Sequence, residues 1–309
     1  MSKILSVRLF FVLLLSGIIV ILAGCGNSGG SGEEPPVYSP TQVLTPEAPA
    51  KQTLGSSPLT LILDISNQEQ GYFIAQSDSS DSRMNIQLTS PSGVLYSYFL
   101  DPGKSAVIPF SEGSGDYQAT CYQQVDGSQY AALYTETLHI KLKNEFLPFL
   151  YPNQYVDFSE KSQACKLARS LVTKESKDVD MLKTFYTYIT THITYDYHKA
   201  ETVEAGYLPN VDETLKTGTG ICFDYAALLT AMLRSQDIPC KLEIGYSGDI
   251  KHAWVDVYIR NKGWVTKAAS FDGDTWELMD PTFDANSSDN EAIQEYIGDE
   301  SNYTVQYTY

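Results

Sequence analysis

The hydrophobic period of this chain changes near residue 145, from strand to helix spacing, and that change limits the possible folds more than any other feature. Up to that point apolar residues alternate: Leu59, Leu61 and Leu63, then Met84, Ile86 and Leu88, then Leu138, Ile140 and Leu142. A repeat of two places every second side chain on one face of a strand. Turn formers separate the runs, at Ser90-Pro91-Ser92-Gly93, Asp101-Pro102-Gly103, Gly113-Ser114-Gly115 and Asp126-Gly127. Short strands so spaced predict a small antiparallel β-sandwich. Beyond Phe146-Leu147-Pro148 the apolar residues fall at helical spacing. Ala164, Leu167, Ala168 and Leu171 form one stripe, with Ser159 as an N-cap, and Val179, Leu182, Tyr186, Ile189 and Ile193 form a second. The second pattern stops at Tyr195-Asp196-Tyr197. A polar loop is expected over residues 200–220, and a third helix begins at Cys222. After Ile238-Pro239 strand patterns return, at Leu242 and Ile244, at His252–Ile259 and at Trp276–Met279, with Tyr303–Tyr309 as an edge strand. Helices followed by strands predict an α+β domain.

At 309 residues, 43% hydrophobic and 12% aromatic, the chain can bury real cores and is not compositionally disordered. Its formal charge of −17 argues against nucleic acid as a partner, because phosphate binding needs clustered Lys and Arg. Lys3 and Arg8 precede an apolar run from Leu9 to Ala23, the layout of a secretory signal. The run ends in Leu22-Ala23-Gly24-Cys25, which resembles the lipobox of bacterial lipoproteins. That resemblance implies cleavage before Cys25, lipid attachment at Cys25, and an extracytoplasmic protein anchored to the cell membrane. An uncleaved membrane-spanning helix is the alternative. The expected organisation is a signal peptide over 1–24, a flexible tether over 25–57, a β-sandwich over 58–145 and an α+β domain over 146–309.

An extracytoplasmic setting allows disulfides, and Cys121, Cys165, Cys222 and Cys240 are the cysteines left to form them. In Gly115–Cys121 the residues Tyr117, Ala119 and Cys121 share one strand face, which resembles the late strand of an immunoglobulin-like domain. Cys121 reads as a buried core residue, and Cys165, beside the first helical stripe, as packed.

Cys222 is different. Gly218 and Gly220 permit a tight entry into its helix and leave room for a substrate backbone above it. In the first turn the helix dipole and the backbone N–H groups favour a thiolate and can stabilise an oxyanion beside it. A buried core cysteine, a Cys222–Cys240 disulfide and a metal ligand compete with a nucleophile here. His252 opens a strand whose Ala253, Val255, Val257 and Ile259 form the apolar face, so His252 points the other way with Trp254, Asp256 and Tyr258. Asp280, followed by Pro281, ends the strand over Trp276–Met279, and would orient the histidine if the two strands were adjacent. His139, His192 and His198 read as structural.

Gly220-Ile221-Cys222-Phe223-Asp224-Tyr225-Ala226, His252-Ala253-Trp254 and Asp280-Pro281-Thr282, in that order, resemble the core of the bacterial transglutaminase-like superfamily over roughly residues 150–285. Met232-Leu233-Arg234 and Ile238-Pro239 fit the same pattern. The resemblance implies a papain-like fold with Cys222 as nucleophile, His252 as general base and acid, and Asp280 as the orienting residue. A side-chain oxyanion donor is also implied, for which Tyr195 is the candidate. One departure is the long polar segment between Trp264 and Trp276, with Lys267, Asp272 and Asp274, which reads as an inserted loop. Asp256, Asp272 and Asp274 are competing acids, none in an Asp-Pro-Thr context.

The implied chemistry is thiolate attack on an amide, giving a thioester that water or an amine resolves. It calls for no cofactor. Peptides or proteins, cell-wall peptides among them, are the expected substrates of a cysteine peptidase or amidase. A glutamine acyl transferase and a non-catalytic binding lipoprotein are the alternatives. A zinc site built from Cys222, His252 and Asp280 is a further one.

Overall fold

The computed structural model describes residues 42–55, 60–173, 176–266, 269–272, 275–278 and 303–309. Its first part holds β1 (Thr53–Leu54), β2 (Leu61–Asp64), β3 (Tyr72–Ser77), β4 (Met84–Thr89), β5 (Leu95–Leu100), β6 (Ser105–Pro109), β7 (Gly115–Asp126) and β8 (Gln129–Ile140). Two four-stranded sheets result, ordered β1-β2-β3-β6 and β5-β4-β7-β8, with antiparallel neighbours throughout. The alternation predicted this sandwich. Met84, Ile86 and Leu88 are buried, and Ile86 and Leu88 lie opposite Cys121 and Ala119 in register. Tyr117 pins the turn into β7: its hydroxyl donates to the Gly113 carbonyl (3.0 Å) and accepts from the Glu112 N–H (3.1 Å). Burial pushes the Cys121 thiol up to about 11, which keeps it protonated and inert.

The tether expectation fails for residues 42–55. Val43 is buried, β1 pairs with β2, and the Ala50 N–H donates to the Asp64 carboxylate (2.6 Å). The Gly, Ser and Pro content suggested a free segment, but backbone hydrogen bonds and one apolar anchor hold it to the sandwich. Residues 1–41, including the apolar run and Cys25, lie outside the described residues.

The second part holds α1 (Gln163–Leu171), α2 (Asp178–His192), β9 (Thr194–Tyr195), α3 (Tyr197–Thr202), α4 (Val211–Thr217), β10 (Thr219–Gly220) and α5 (Cys222–Arg234). They are followed by β11 (Cys240–Ser247), β12 (Ile250–Ile259), β13 (Gly263–Val265), β14 (Ala269–Asp272), β15 (Thr275–Leu278) and β16 (Tyr303–Thr308). Helix α5 is central. Its Ala226–Leu233 run is buried on every side and apolar except at Thr230, so α1, α2 and α4 can pack around it while β11 and β12 cover it. The main sheet runs β13-β12-β11-β16, and β16 is the edge strand that the aromatic run predicted. A Cβ on Gly245 would lie 1.9 Å from the Thr304 carbonyl, so only glycine lets β16 dock at the register shift beside it.

Three expectations are corrected. Ser162, not Ser159, is the residue before α1. The polar stretch 200–220 is not a plain loop: it contains α4, capped by Asn210 accepting from the Glu213 N–H (3.0 Å), and β10. The segment after Trp264, read as an inserted loop, contains a hairpin, because β15 pairs with β14, while β13 pairs with β12.

The described residues form one compact unit, and the sandwich and the helical part share a core. Tyrosines join them. Tyr155 stacks on Tyr309 (ring centroids 3.9 Å apart) and meets Tyr98 edge-on, while its hydroxyl donates to the Ser97 carbonyl (3.1 Å). At the far end of α5, Arg234 is fully buried. Its Nε donates to the Cys240 carbonyl (2.9 Å), Nη1 to Tyr151 (2.7 Å) and Nη2 to Tyr309 (2.7 Å).

Glu243 on β11 is buried near Asp256 of β12 and accepts from the Thr308 hydroxyl (2.6 Å). Burial, then the Asp256 charge, raises its pKa from 4.5 to about 8. The folded state therefore holds a proton that the unfolded chain releases near 4.5. Stability contributed by that proton is complete below pH 4.5 and falls as pH rises through 8. Glu243→Gln is expected to flatten this fall and to gain most over wild type near pH 8. Thermal unfolding from pH 5 to 8.5 checks it, and parallel curves for the two proteins would contradict it.

Candidate active site

The two glycines before Cys222 have separate tasks. Gly218 takes a left-handed φ of 65° and ends α4. Gly220 makes room, but not for a substrate: a Cβ there would lie 2.8 Å from the Asp224 Cβ. Asp224, in the first turn of α5, reaches back so that its Oδ2 accepts from the Ile221 N–H (2.9 Å), the acidic half of a capping box. The same Oδ2 accepts from Lys199 Nζ (2.6 Å), and Oδ1 accepts from the Tyr207 hydroxyl (2.5 Å). The ammonium also lies 4.5 Å from the Tyr207 ring centroid. Burial opposes the charge on Lys199, yet its hydrogen bonds to Asp224 and Tyr207 outweigh that and raise its pKa. Burial and the Asp224 bond push Tyr207 up to about 12. Lys199 and Tyr207 escaped the sequence reading because they fell at the edge of, and inside, the stretch taken as loop. An acid at the third helical position was a usable signal for Asp224.

Cys222 is the first residue of α5 and is half-buried, whereas the other described cysteines, Cys121, Cys165 and Cys240, are buried. Burial raises the Cys165 thiol to about 11 and the Cys240 thiol to about 12. All four are free, and Cys240 is engaged with the Thr230 hydroxyl (3.5 Å) in the core. Only Cys222 thus combines solvent access with a helix N-terminus, where N–H groups without intrahelical partners stabilise negative charge.

Tyr195 is brought beside the entry to Cys222. β9 runs parallel to β10, Tyr195 lies opposite Gly220, and the Asp196 N–H donates to the Gly220 carbonyl (2.9 Å). The Tyr195 ring rests near Tyr225 of α5, whose hydroxyl donates to the Ile193 carbonyl (2.8 Å). His252 lies on β12, which packs against α5. It is buried beside Trp254 and Tyr303, on the face away from the Ala253, Val255 and Val257 stripe, as the alternation predicts. Asp280, Pro281 and Thr282 lie outside the described residues, as do Lys267 and Asp274. Asp256 is buried on the His252 face of β12. His139 bonds Asp116 (2.7 Å) on the sandwich surface, and His192 stacks on Tyr188. Among the described residues no group of three or more His, Cys, Asp or Glu is placed to hold a metal ion.

Cys222 thus opens the central helix and His252 lies on a strand of the antiparallel sheet that packs against that helix, on an α+β frame. Residues 165–268, which include Cys222 and His252, match the model of the transglutaminase-like superfamily, and the chain carries a transglutaminase-like domain. No curated protein matches the chain. Among solved structures, a candidate cysteine protease from Cytophaga hutchinsonii is similar at 15% identity and a TM-score of 0.38, over 77% of this chain and 79% of that one. The periplasmic domain of TgpA from Pseudomonas aeruginosa is similar at 14% identity and a TM-score of 0.35, over 72% and 92%. Red sea bream transglutaminase is similar at 12% identity and a TM-score of 0.32, over 74% of this chain and 53% of that one.

Proposed function

We propose that this protein is an extracytoplasmic lipoprotein, anchored through Cys25, that cleaves peptide amides as a cysteine peptidase or amidase. The observation that carries the chemistry is the position of Cys222: it alone among the described cysteines is open to solvent, and it sits at the N-terminus of a central helix inside a transglutaminase-like domain. His252 takes the thiol proton, and the thiolate forms a bond to the amide carbon. The tetrahedral oxyanion is stabilised by the first N–H groups of α5, with the Tyr195 hydroxyl as the side-chain donor. The C–N bond breaks as the imidazolium gives its proton to the leaving amine, which leaves a thioester. His252 then takes a proton from water, whose oxygen attacks the thioester, releases a carboxylic acid and restores the thiol. Asp280 holds the other imidazole nitrogen. Anchoring at a membrane makes cell-wall peptides and secreted proteins the available substrates. The strand order and the Tyr117 turn support an immunoglobulin-like reading of the sandwich.

Incubating wild type and His252→Ala with a glutamine-containing peptide pool and a labelled primary amine tests this. New carboxylic acids are expected with wild type, slowed about 10²–10⁴-fold in His252→Ala. Label incorporated into glutamine instead would establish the acyl transferase. Neither product, with equal Cys222 alkylation in both proteins, would retire the catalytic reading in favour of a binding lipoprotein.

A further inference from the structure

A polar cluster built on the buried Asp224, two residues from Cys222, takes no part in the chemistry above. Asp224 is 0% exposed and lies two residues beyond the thiol on the same helical turn. A carboxylate there opposes the effect of the helix N-terminus, because a like charge nearby disfavours a thiolate. It is also costly to bury without a partner. The structure supplies both needs from one arm of the chain: Lys199 of α3 and Tyr207, which follows it, converge on the two Asp224 oxygens. Tyr207 also sets its ring edge-on to Phe223, the residue between Cys222 and Asp224 (centroids 6.3 Å apart). The arm begins at Asp196, whose backbone is held by Gly220, so it is fastened to the Cys222 turn at both ends.

We propose that Lys199 and Tyr207 are positioning residues for Cys222: through Asp224 they fix the first turn of α5 and cancel the negative charge beside the thiol. The proposal rests on the reading of Cys222 as nucleophile. The charged or titratable groups on Asp224 are Lys199 and Tyr207; the proposed base His252 on β12 and Tyr195 on β9 are the titratable groups assigned to Cys222 from other elements and are the same in every variant below, and the next charge along α5, Arg234, is at its other end. An ion pair that served only the fold would leave Cys222 reactivity unmoved when replaced.

The test is the pH profile of Cys222 alkylation by iodoacetamide in the full chain, read by peptide mass mapping. Burial of the other described cysteines keeps the label selective. Lys199→Met is expected to move the midpoint up by about one pH unit, about tenfold slower labelling at pH 7. Lys199→Arg should restore the profile, and Lys199→Met combined with Asp224→Asn should return it to wild type, since both charges are then gone. Tyr207→Phe keeps the ring on Phe223 and should shift the midpoint the same way by less; it decides the question if Lys199→Met does not fold. Unchanged profiles in Lys199→Met and Tyr207→Phe overturn the proposal, as does a full shift persisting in the double variant. Alkylation needs no turnover, so absent amide cleavage by wild type counts against the catalytic reading alone.

Discussion

Cys222→Ala is expected to reduce amide cleavage to background, a loss on the order of 10⁶-fold where a thiol or hydroxyl nucleophile carries the reaction. No other described cysteine can replace it. Cys121, Cys165 and Cys240 are enclosed, and burial raises each thiol to about 11 or above. Stability should hardly change, because Cys222 is half-buried and loses a single atom. A difference within about 0.5 kcal/mol is expected. Parallel activity and melting measurements separate the effects. Cleavage that survives in the folded variant would remove the cysteine mechanism altogether.

The second large effect concerns stability at the opposite end of the same helix. Among the described residues Arg234 has no carboxylate hydrogen-bond partner; it directs its donors to the carbonyls of Cys240, Tyr151 and Tyr309. Burial lowers its pKa to about 10, so it stays protonated at neutral pH. Arg234→Leu removes the cost of burying the charge but strands carbonyls in the interior, each worth about 1–3 kcal/mol unpaired. A net loss of about 3 kcal/mol is expected, or roughly 10 °C in Tm for a unit of this size. Arg234→Lys should recover little, since one ammonium cannot span carbonyls on three separate segments. A melting temperature equal to wild type in Arg234→Leu would show that the three bonds contribute nothing net.

Much of this could be read in the sequence because the governing signals were local. Alternation at Met84, Ile86 and Leu88 and the apolar run after Cys222 each need only a few neighbouring residues to be interpreted. The tether boundary and the 200–220 stretch were misjudged for the opposite reason. Val43 is ordered by a core made of later strands, and Lys199 and Tyr207 acquire meaning only through Asp224. Composition called both segments loose, and tertiary partners overrode it. Periodicity leaves open whether the strand before Asp280 lies beside β12, because it does not distinguish a strand that extends a sheet from one that folds back as a hairpin, as β15 does on β14. For the candidate site, motif order singles out Cys222 and His252, while the Asp224, Lys199 and Tyr207 contacts leave no such signal.

The edge position of β16 also couples distant parts of the chain. β12 follows β11 through a tight connection and can pair with it as soon as both exist. The other edge of β11 waits for Tyr303–Thr308, far later in the chain, so completing the sheet closes a long loop. Until then the Thr308 hydroxyl is absent from Glu243, Tyr309 is absent from the tyrosine cluster, and Arg234 lacks one of its carbonyls. Pairing of β16 therefore buries a carboxylate, an aromatic seam and a guanidinium together.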